Sequence, residues 1–280
     1  MTASLKEKQT IFDYSGWTEP LKSLHHQYVS AHPFPHIVLD NFLNPGIAER
    51  VAREFDQINW QAYKHFNEDK EGGDTRTVPP LTERVLNELN SPEFLQFLTG
   101  LTGIENLIAD EKFGSGGVHQ STRGGFLNIH ADFTVHPYHR NWHRRINVLI
   151  YLNKGWQEDW GGKLELWSTD MKRCEQKVVP IINRCVVFNT ATDSYHGHPE
   201  PMTCPPGVKR RSIAMYYYTL DENSPAISTE YKARPGDNRL KSSMIFMDKM
   251  ALRIFHQLKS ILKLNDSVVT GWMTRSKPKK

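Results

Sequence analysis

Short apolar runs, separated by glycine, proline and polar residues, dominate the middle of the chain from Phe126 to Tyr218. The run from Ile146 to Leu152 is apolar almost throughout, which predicts a strand buried on both faces. Two more strands are predicted from Lys163 to Trp167 and from Val186 to Phe188. The pattern therefore favours a mainly β core.

Helical periodicity lies outside this region. Ile47, Val51, Phe55 and Ile58 recur at helical spacing, so we expect a helix that packs on the outside of a sheet. Asn44 and the proline after it are expected to cap that helix. The stripe is read as core rather than as a cofactor site.

Two further helices are predicted beside the core. One has Thr18 as N-cap and extends to about Ser30, and the other starts at Ser91-Pro92 and ends at Gly100. Residues 61–80 are rich in charge and glycine and are expected to form a loop. Such a loop is either a lid over the substrate or an ordinary solvated connection.

The C-terminal region carries an apolar stripe at helical spacing, formed by Met247, Met250, Ile254, Leu258 and Ile261. Packing on the domain is the default interpretation, with a second subunit or an anionic membrane as alternatives. We divide the chain into an N-terminal arm and helix (1–32), a central domain with buttressing helices (33–236) and a C-terminal helix with a basic tail (237–280).

Composition narrows the function classes. The 280 residues include 35 basic and 31 acidic side chains, a surplus too small to indicate nucleic-acid binding. Three cysteines without close spacing indicate isolated thiols. The first residues lack the apolar segment of a signal peptide, and no apolar run is long enough for a membrane span, so a cytoplasmic protein is expected. The sequence leaves the oligomeric state open.

The candidate chemistry begins with His130 and Asp132. Leu127 to Phe133 is typical of a strand, in which alternate side chains share a face, so one imidazole and one carboxylate should converge. A second histidine from a distant strand, for which His196 is the candidate, would complete two-histidine, one-carboxylate ligation of iron(II). His-x-Asp alone is a weak pattern, because it occurs in many unrelated proteins.

The order of the surrounding motifs is more specific. After the pair come, in order, RRINVLIYLN (144–153), WGGKLELW (160–167), CVVFN (185–189), SYHG (194–197) and RRSIAMYYY (210–218). This series resembles the iron(II)- and 2-oxoglutarate-dependent oxygenases, in particular their prolyl 4-hydroxylase-like branch. The resemblance extends over about residues 33 to 236.

The resemblance implies a double-stranded β-helix, a jelly-roll core of cupin type, with the metal inside one end. It implies iron(II) as metal, 2-oxoglutarate and dioxygen as co-substrates, and ascorbate as an optional addition. The Ser-x-His-Gly pattern of the family's distal segment favours His196 over His198, which lies two residues further and would share its face.

Family members bind the far carboxylate of 2-oxoglutarate through a basic residue some ten to fifteen positions after the distal histidine. Arg210 and Arg211 lie 14 and 15 residues after His196. Adjacent residues of a strand face opposite sides. Arg210, with Ser212 on its face, fits the family pattern, and Arg211 would then point outward.

The resemblance also places one face of the strand 146–152 inside the barrel. Tyr151 would then bond the far carboxylate of 2-oxoglutarate, and Asn147 would lie near the metal. A wider set of pocket candidates comprises Gln120, His119, Leu149, Arg211 and His198. A second, zinc-like cluster of His136, His139 and His143 is a weaker possibility.

These observations predict a dioxygenase that hydroxylates an unactivated C–H bond and converts 2-oxoglutarate to succinate and carbon dioxide. The substrate stays open among a free amino acid, a peptidyl proline and a specialised metabolite. A non-catalytic jelly-roll protein that binds a metal or ligand is the alternative. Halogenation is disfavoured, because the family's halogenases replace the carboxylate ligand that Asp132 supplies here.

Overall fold

The computed structural model describes residues 10–113, 116–248 and 250. Its centre is a sheet of thirteen strands, and the strands pair in antiparallel fashion. The strands are β1 (His36–Leu39), β2 (Trp60–His65), β3 (Glu68–Gly73), β4 (Ile108–Ala109), β5 (Gly117–Ser121), β6 (Phe126–Ala131), β7 (Trp142–Tyr151), β8 (Leu164–Trp167), β9 (Cys174–Val178), β10 (Cys185–Asn189), β11 (His196–His198), β12 (Arg210–Leu220) and β13 (Glu230–Tyr231).

The strands follow the spatial order β1-β10-β7-β12-β5-β3-β6-β11-β8-β9, with β2, β4 and β13 attached at the side. This arrangement is a nearly closed barrel with flanking helices, which confirms the predicted jelly-roll core. The three strands predicted from apolar runs are present as β7, β8 and β10.

Helices cover the outside of the sheet. They are α1 (Tyr14–Thr18), α2 (Leu21–Ser30), α3 (Ile47–Glu54), α4 (Pro80–Leu89) and α5 (Pro92–Thr102). Ile47, Val51 and Phe55 are fully buried, as the stripe predicts, and share one core cluster with Ile146 and Val148 of β7. Because side chains alternate along β7, its intervening residues face the other way, into the barrel.

The helix starts correct two of the predicted N-caps and confirm the third. Thr18 ends a separate first helix, and its hydroxyl donates to the Tyr14 carbonyl instead of capping α2. The Asn44 side chain donates to the Thr10 carbonyl, while α3 starts after Gly46. Ser91 does cap α5 by accepting from the backbone N–H of Phe94.

The predicted end of α5 at Gly100 is also wrong. The helix continues to Thr102, and Gly103, with φ of 73°, ends it in the left-handed conformation that glycine tolerates best. At Gly100 a Cβ would lie 2.6 Å from a methyl group of Leu21, so this glycine permits α5 to approach α2 closely.

The prediction of a loop at residues 61–80 is wrong as well. It forms a hairpin of β2 and β3, followed by a short 3-10 turn and the start of α4. One edge of β3 pairs with β2, while further residues of β3 pair with both β5 and β6. Tertiary pairing therefore stabilises a polar segment that lacks the apolar alternation of a core strand.

The C-terminal stripe is described only in part. Residues 239–248 are helical, and Ile245 is buried, whereas Met247 and Met250 are exposed at 68% and 38%. These two methionines thus do not pack on the domain as the default interpretation expects. The rest of the stripe and the basic tail lie outside the described residues. Among the helices described, none is long and apolar enough to cross a membrane.

Candidate active site

Two neighbouring strands bring His130, Asp132 and His196 together. His130 lies near the end of β6, Asp132 follows that strand directly, and His196 begins β11 opposite His130 in the pairing register. Nε2 of His130 is 3.4 Å from Oδ1 of Asp132, and Nε2 of His196 is 3.4 Å from Oδ2. All three donor atoms lie within 4.8 Å of one another.

Hydrogen bonds orient both imidazoles for metal binding. Nδ1 of His130 donates to the Asn128 carbonyl and Nδ1 of His196 donates to the Ser194 carbonyl, each at 2.9 Å. A carbonyl oxygen can only accept, so each Nδ1 carries a proton, and in the neutral imidazole this leaves a lone pair on Nε2. Two neutral imidazoles and a carboxylate are donors that suit iron(II), so the residues present fit the metal that the sequence predicts.

Asp132 is held from behind by two side chains of β7. Nη2 of Arg144 lies 3.0 Å from Oδ2, and the amide of Asn147 donates to the same oxygen at 2.8 Å. Burial raises the pKa of Asp132, but Arg144, followed by His196 and His130, outweighs it and holds the pKa well below its usual range. The carboxylate is therefore ionised, as a metal ligand must be.

His198 also faces the interior but lies outside the donor cluster. The cluster that the described residues form contains His196 and not His198. Burial, with smaller contributions from Arg210 and Lys70, lowers the pKa of His198 well below its usual range. Within the same residues, no histidine cluster of metal-ligating geometry forms at 136–143, and His136 instead contacts Asp110 at 3.1 Å.

The two adjacent arginines point in opposite directions. The buried Arg210 donates from Nε to the Gly162 carbonyl at 2.7 Å and from Nη2 to the Tyr151 hydroxyl at 3.3 Å. Arg211 instead donates to the Ala52 carbonyl and pairs with Asp56 on the outside. Ser212 pairs with Tyr151 across β12 and β7.

A cavity of about 120 Å³ connects the donor cluster to Arg210. The other residues that the sequence analysis named also line it, namely Tyr151, Ser212, Asn147, Gln120, His119, Leu149 and His198. Arg211 is the one candidate that does not. Both ring nitrogens of His119 are buried and have no hydrogen-bond partner among the described residues.

Sequence reasoning missed three residues of the site. Lys70 lines the cavity from β3, and Tyr216 lines it from β12. Arg144 is buried between the rings of Tyr216 and Phe133, at 3.5 and 4.5 Å from their centroids. Tyr216 shares a strand face with Arg210, as alternation along β12 predicts, but no role in the site was assigned to it. Lys70 lacked any such signal, because its segment was read as a loop.

Comparison with known proteins agrees with this geometry. Residues 116–218 match the family model of the 2OG-Fe(II) oxygenase superfamily. That range contains all three members of the donor cluster and both Arg210 and Tyr151. No curated protein matches the chain in sequence.

Three prolyl hydroxylase structures share the fold, each at 18% identity. The Pseudomonas putida prolyl-4-hydroxylase has a TM-score of 0.51, with 72% of this chain and all of that chain covered. A prolyl 4-hydroxylase of Phytophthora capsici gives 0.50, with 80% and 72% covered. A Trichoplax adhaerens prolyl hydroxylase, in complex with a hypoxia inducible factor peptide fragment, gives 0.50, with 71% and 91% covered.

The family match covers the strands that carry the donor cluster, and the similar structures share the fold. Neither identifies the molecule that enters the cavity. The match over residues 116–218 supports an iron(II)- and 2-oxoglutarate-dependent dioxygenase, and the fold is like that of the prolyl 4-hydroxylases.

Proposed function

We propose that this dioxygenase hydroxylates an unactivated C–H bond of a prolyl or amino-acid-like substrate, with iron(II) held by His130, Asp132 and His196. The single observation that carries the assignment of the ligands is the convergence of two Nε2 atoms, each on a ring whose Nδ1 donates to a backbone carbonyl, on one carboxylate. Three protein ligands on one side of an octahedral ion leave three positions for co-substrate and dioxygen.

Arg210, Tyr151 and Ser212 are proposed to bind the far carboxylate of 2-oxoglutarate. The buried guanidinium of Arg210 has no carboxylate partner among the described residues. Burial lowers its pKa, yet a guanidinium remains charged at neutral pH. A buried cation without an anion is costly, so the far carboxylate of 2-oxoglutarate would satisfy it.

The metal, when bound, supplies the activation of dioxygen that drives oxidation of both substrates. The reaction consumes one C–H bond, one 2-oxoglutarate and one dioxygen. It yields one alcohol, one succinate and one carbon dioxide, so one oxygen atom enters the product and the other enters succinate. The protein's part is to orient both substrates and to exclude bulk water from the cavity.

The test combines succinate release with mass spectrometry of candidate substrates under iron(II), 2-oxoglutarate and dioxygen. A substrate should gain one oxygen atom for each succinate formed. Free amino acids and proline-containing peptides should be screened together. Release of succinate without oxygenation of any candidate would contradict the proposed range of substrates, whereas absence of succinate would contradict the assignment of the site.

A further inference from the structure

Lys70 is a second cationic side chain in the cavity, and the proposed binding of 2-oxoglutarate gives it no role. It lies in β3, the strand that pairs with both β5 and β6, and its side chain lines the cavity. Its Nζ is 2.7 Å from Oε2 of Glu68, and 28% of the side chain is exposed. An ammonium group has three N–H donors, so Glu68 leaves donors for a ligand in the cavity.

Lys70 remains charged in this position. Burial lowers the pKa of its ammonium group, but Glu68, with smaller contributions from Tyr216 and Asp132, raises it above its usual range. Lys70 lines the same cavity as Asp132 and Tyr216, and the oxidised carbon of a substrate must lie in this cavity. By contrast, Lys64 of the same hairpin is 75% exposed.

Arg210 and Lys70 line the same cavity as the imidazoles of His119 and His198. Burial is the largest cause that lowers the pKa of His119, and Lys70 and Arg210 lower it further, to about 3. His119 is therefore neutral at physiological pH and does not compete for anions. With the far carboxylate of 2-oxoglutarate at Arg210, Lys70 is the cation available to a second acidic molecule.

The shape of the site favours a small molecule. The hairpin closes the gap between β5 and β6, and the cavity behind it measures about 120 Å³. Charge and size thus select the same kind of ligand.

We propose that Lys70 is a specificity-determining residue that binds the carboxylate of a small acidic substrate, such as a free α-amino acid. This inference rests on the proposed function. The ammonium would donate to the substrate carboxylate while it keeps its bond to Glu68. The carboxylate would then fix the distance between the metal and the carbon that is hydroxylated.

The experiment compares the wild type with Lys70→Met, Lys70→Arg and, as a matched control on the same hairpin, Lys64→Met. The probes are the proteinogenic L-amino acids and their C-terminal amides, and the readout is succinate released above the rate without substrate. Thermal shifts with manganese(II) and 2-oxoglutarate report folding and binding of the co-substrate separately.

At least one free acid should stimulate the wild type, and its amide should be at least about tenfold weaker. Lys70→Met should raise the KM for that acid by at least about tenfold, while the 2-oxoglutarate concentration for the half-maximal thermal shift moves less than about threefold. Lys70→Arg should recover part of the affinity for the acid, and Lys64→Met should match the wild type.

The proposal is overturned if amides stimulate as well as acids, if no acid stimulates an enzyme that does release succinate, or if Lys70→Met responds like the wild type. A higher 2-oxoglutarate requirement in Lys70→Met would assign the residue to the co-substrate instead. Failure of the proposed function can be distinguished from failure of this proposal, because the wild type would then release no succinate with any probe or without one.

Discussion

Arg144 approaches Asp132 from the side of the sheet, with Nη2 3.0 Å from Oδ2 and a side chain that has no solvent exposure. The same guanidinium donates to Oδ1 of Asn147 at 2.7 Å, and Asn147 in turn donates to Asp132. Of the two carboxylate oxygens of Asp132, Oδ1, which faces His130, therefore has fewer contacts with the protein.

This relationship predicts that Arg144→Met destabilises the metal-free protein by about 3–5 kcal/mol, because a buried carboxylate loses its counter-charge. A bound divalent ion would replace that charge, so manganese(II) should raise the Tm of the variant more than that of the wild type. Arg145→Met is the control, since Arg145 contacts the Thr219 hydroxyl instead. Equal manganese-induced shifts in all three proteins would argue against the role of Arg144.

Replacement of His196 should abolish metal binding, whereas replacement of His198 should not. Nε2 of His196 faces the Asp132 carboxylate, while His198 lies outside the donor cluster. Iron content after anaerobic reconstitution of His196→Ala, His198→Ala and Asp132→Ala measures the difference. A His198→Ala protein that loses iron while His196→Ala retains it would reverse the assignment of the distal ligand.

Binding of 2-oxoglutarate should stabilise the protein only when a metal is present, because two of its oxygens are expected to be metal ligands. Thermal shifts with manganese(II) under air test this without turnover. The same titration in the presence of a chelator should give little shift. A full shift in metal-free protein would indicate anion binding at Arg210 alone.

Arg210→Ala should raise the 2-oxoglutarate requirement far more than Arg211→Ala does. Loss of the buried guanidinium leaves a desolvated carboxylate without its partner, at a cost of about 2–5 kcal/mol. Arg211 contacts Ala52 and Asp56 outside the cavity, so its variant is the matched control. Succinate production at increasing concentrations of 2-oxoglutarate measures the requirement of both variants. A larger increase for Arg211→Ala than for Arg210→Ala would show that the assignment of Arg210 is wrong.

The ion pairs of Glu68 should make stability fall in acid. Burial raises the pKa of Glu68, but Lys70 and His65 outweigh it and lower the pKa from 4.5 to about 2. A depressed folded-state pKa stabilises the protein above pH 4.5, and this contribution, about 3 kcal/mol at most, is lost as the pH falls toward 2. Glu68→Gln should therefore lower stability at pH 7 and flatten its dependence on pH below 4.5.

Denaturant unfolding of metal-free protein between pH 7 and 3 measures this effect. Glu158→Gln is the control, because the Glu158 side chain is 70% exposed and its ion pair with Lys163 contributes little to stability. Parallel stability curves for the wild type and Glu68→Gln would contradict the prediction.

The sequence was sufficient for the core strands and for the residues that line the cavity from them. Alternation places Asn147 and Tyr151 on one face of β7 and separates Arg210 from Arg211 on β12. The family resemblance directs Asn147, Tyr151 and Arg210 inward, where the structure has them, and Arg211 outward. These inferences succeed because a strand's period of two is fixed by backbone geometry, whatever the surroundings. The motif order supplied the pairing of distant segments that periodicity alone does not give.

The sequence was insufficient where tertiary contacts decide the structure. The strand β3 is polar along its length and exists because it pairs with β5 and β6, which are remote in sequence. Lys70 and Glu68 were missed for that reason. Asn44 shows the same limit at a helix end, since its side chain bonds to Thr10 instead of capping α3.

Because of the hairpin of β2 and β3, substitutions that change substrate specificity can occur apart from substitutions that change metal binding. It contributes Lys70 to the cavity but none of the three residues in the metal-donor cluster. Replacements in the hairpin could therefore alter which molecules are accepted while the oxidising centre stays intact. Related enzymes could therefore acquire different substrate specificities through substitutions in this hairpin, and each intermediate in that evolution would keep its catalytic activity.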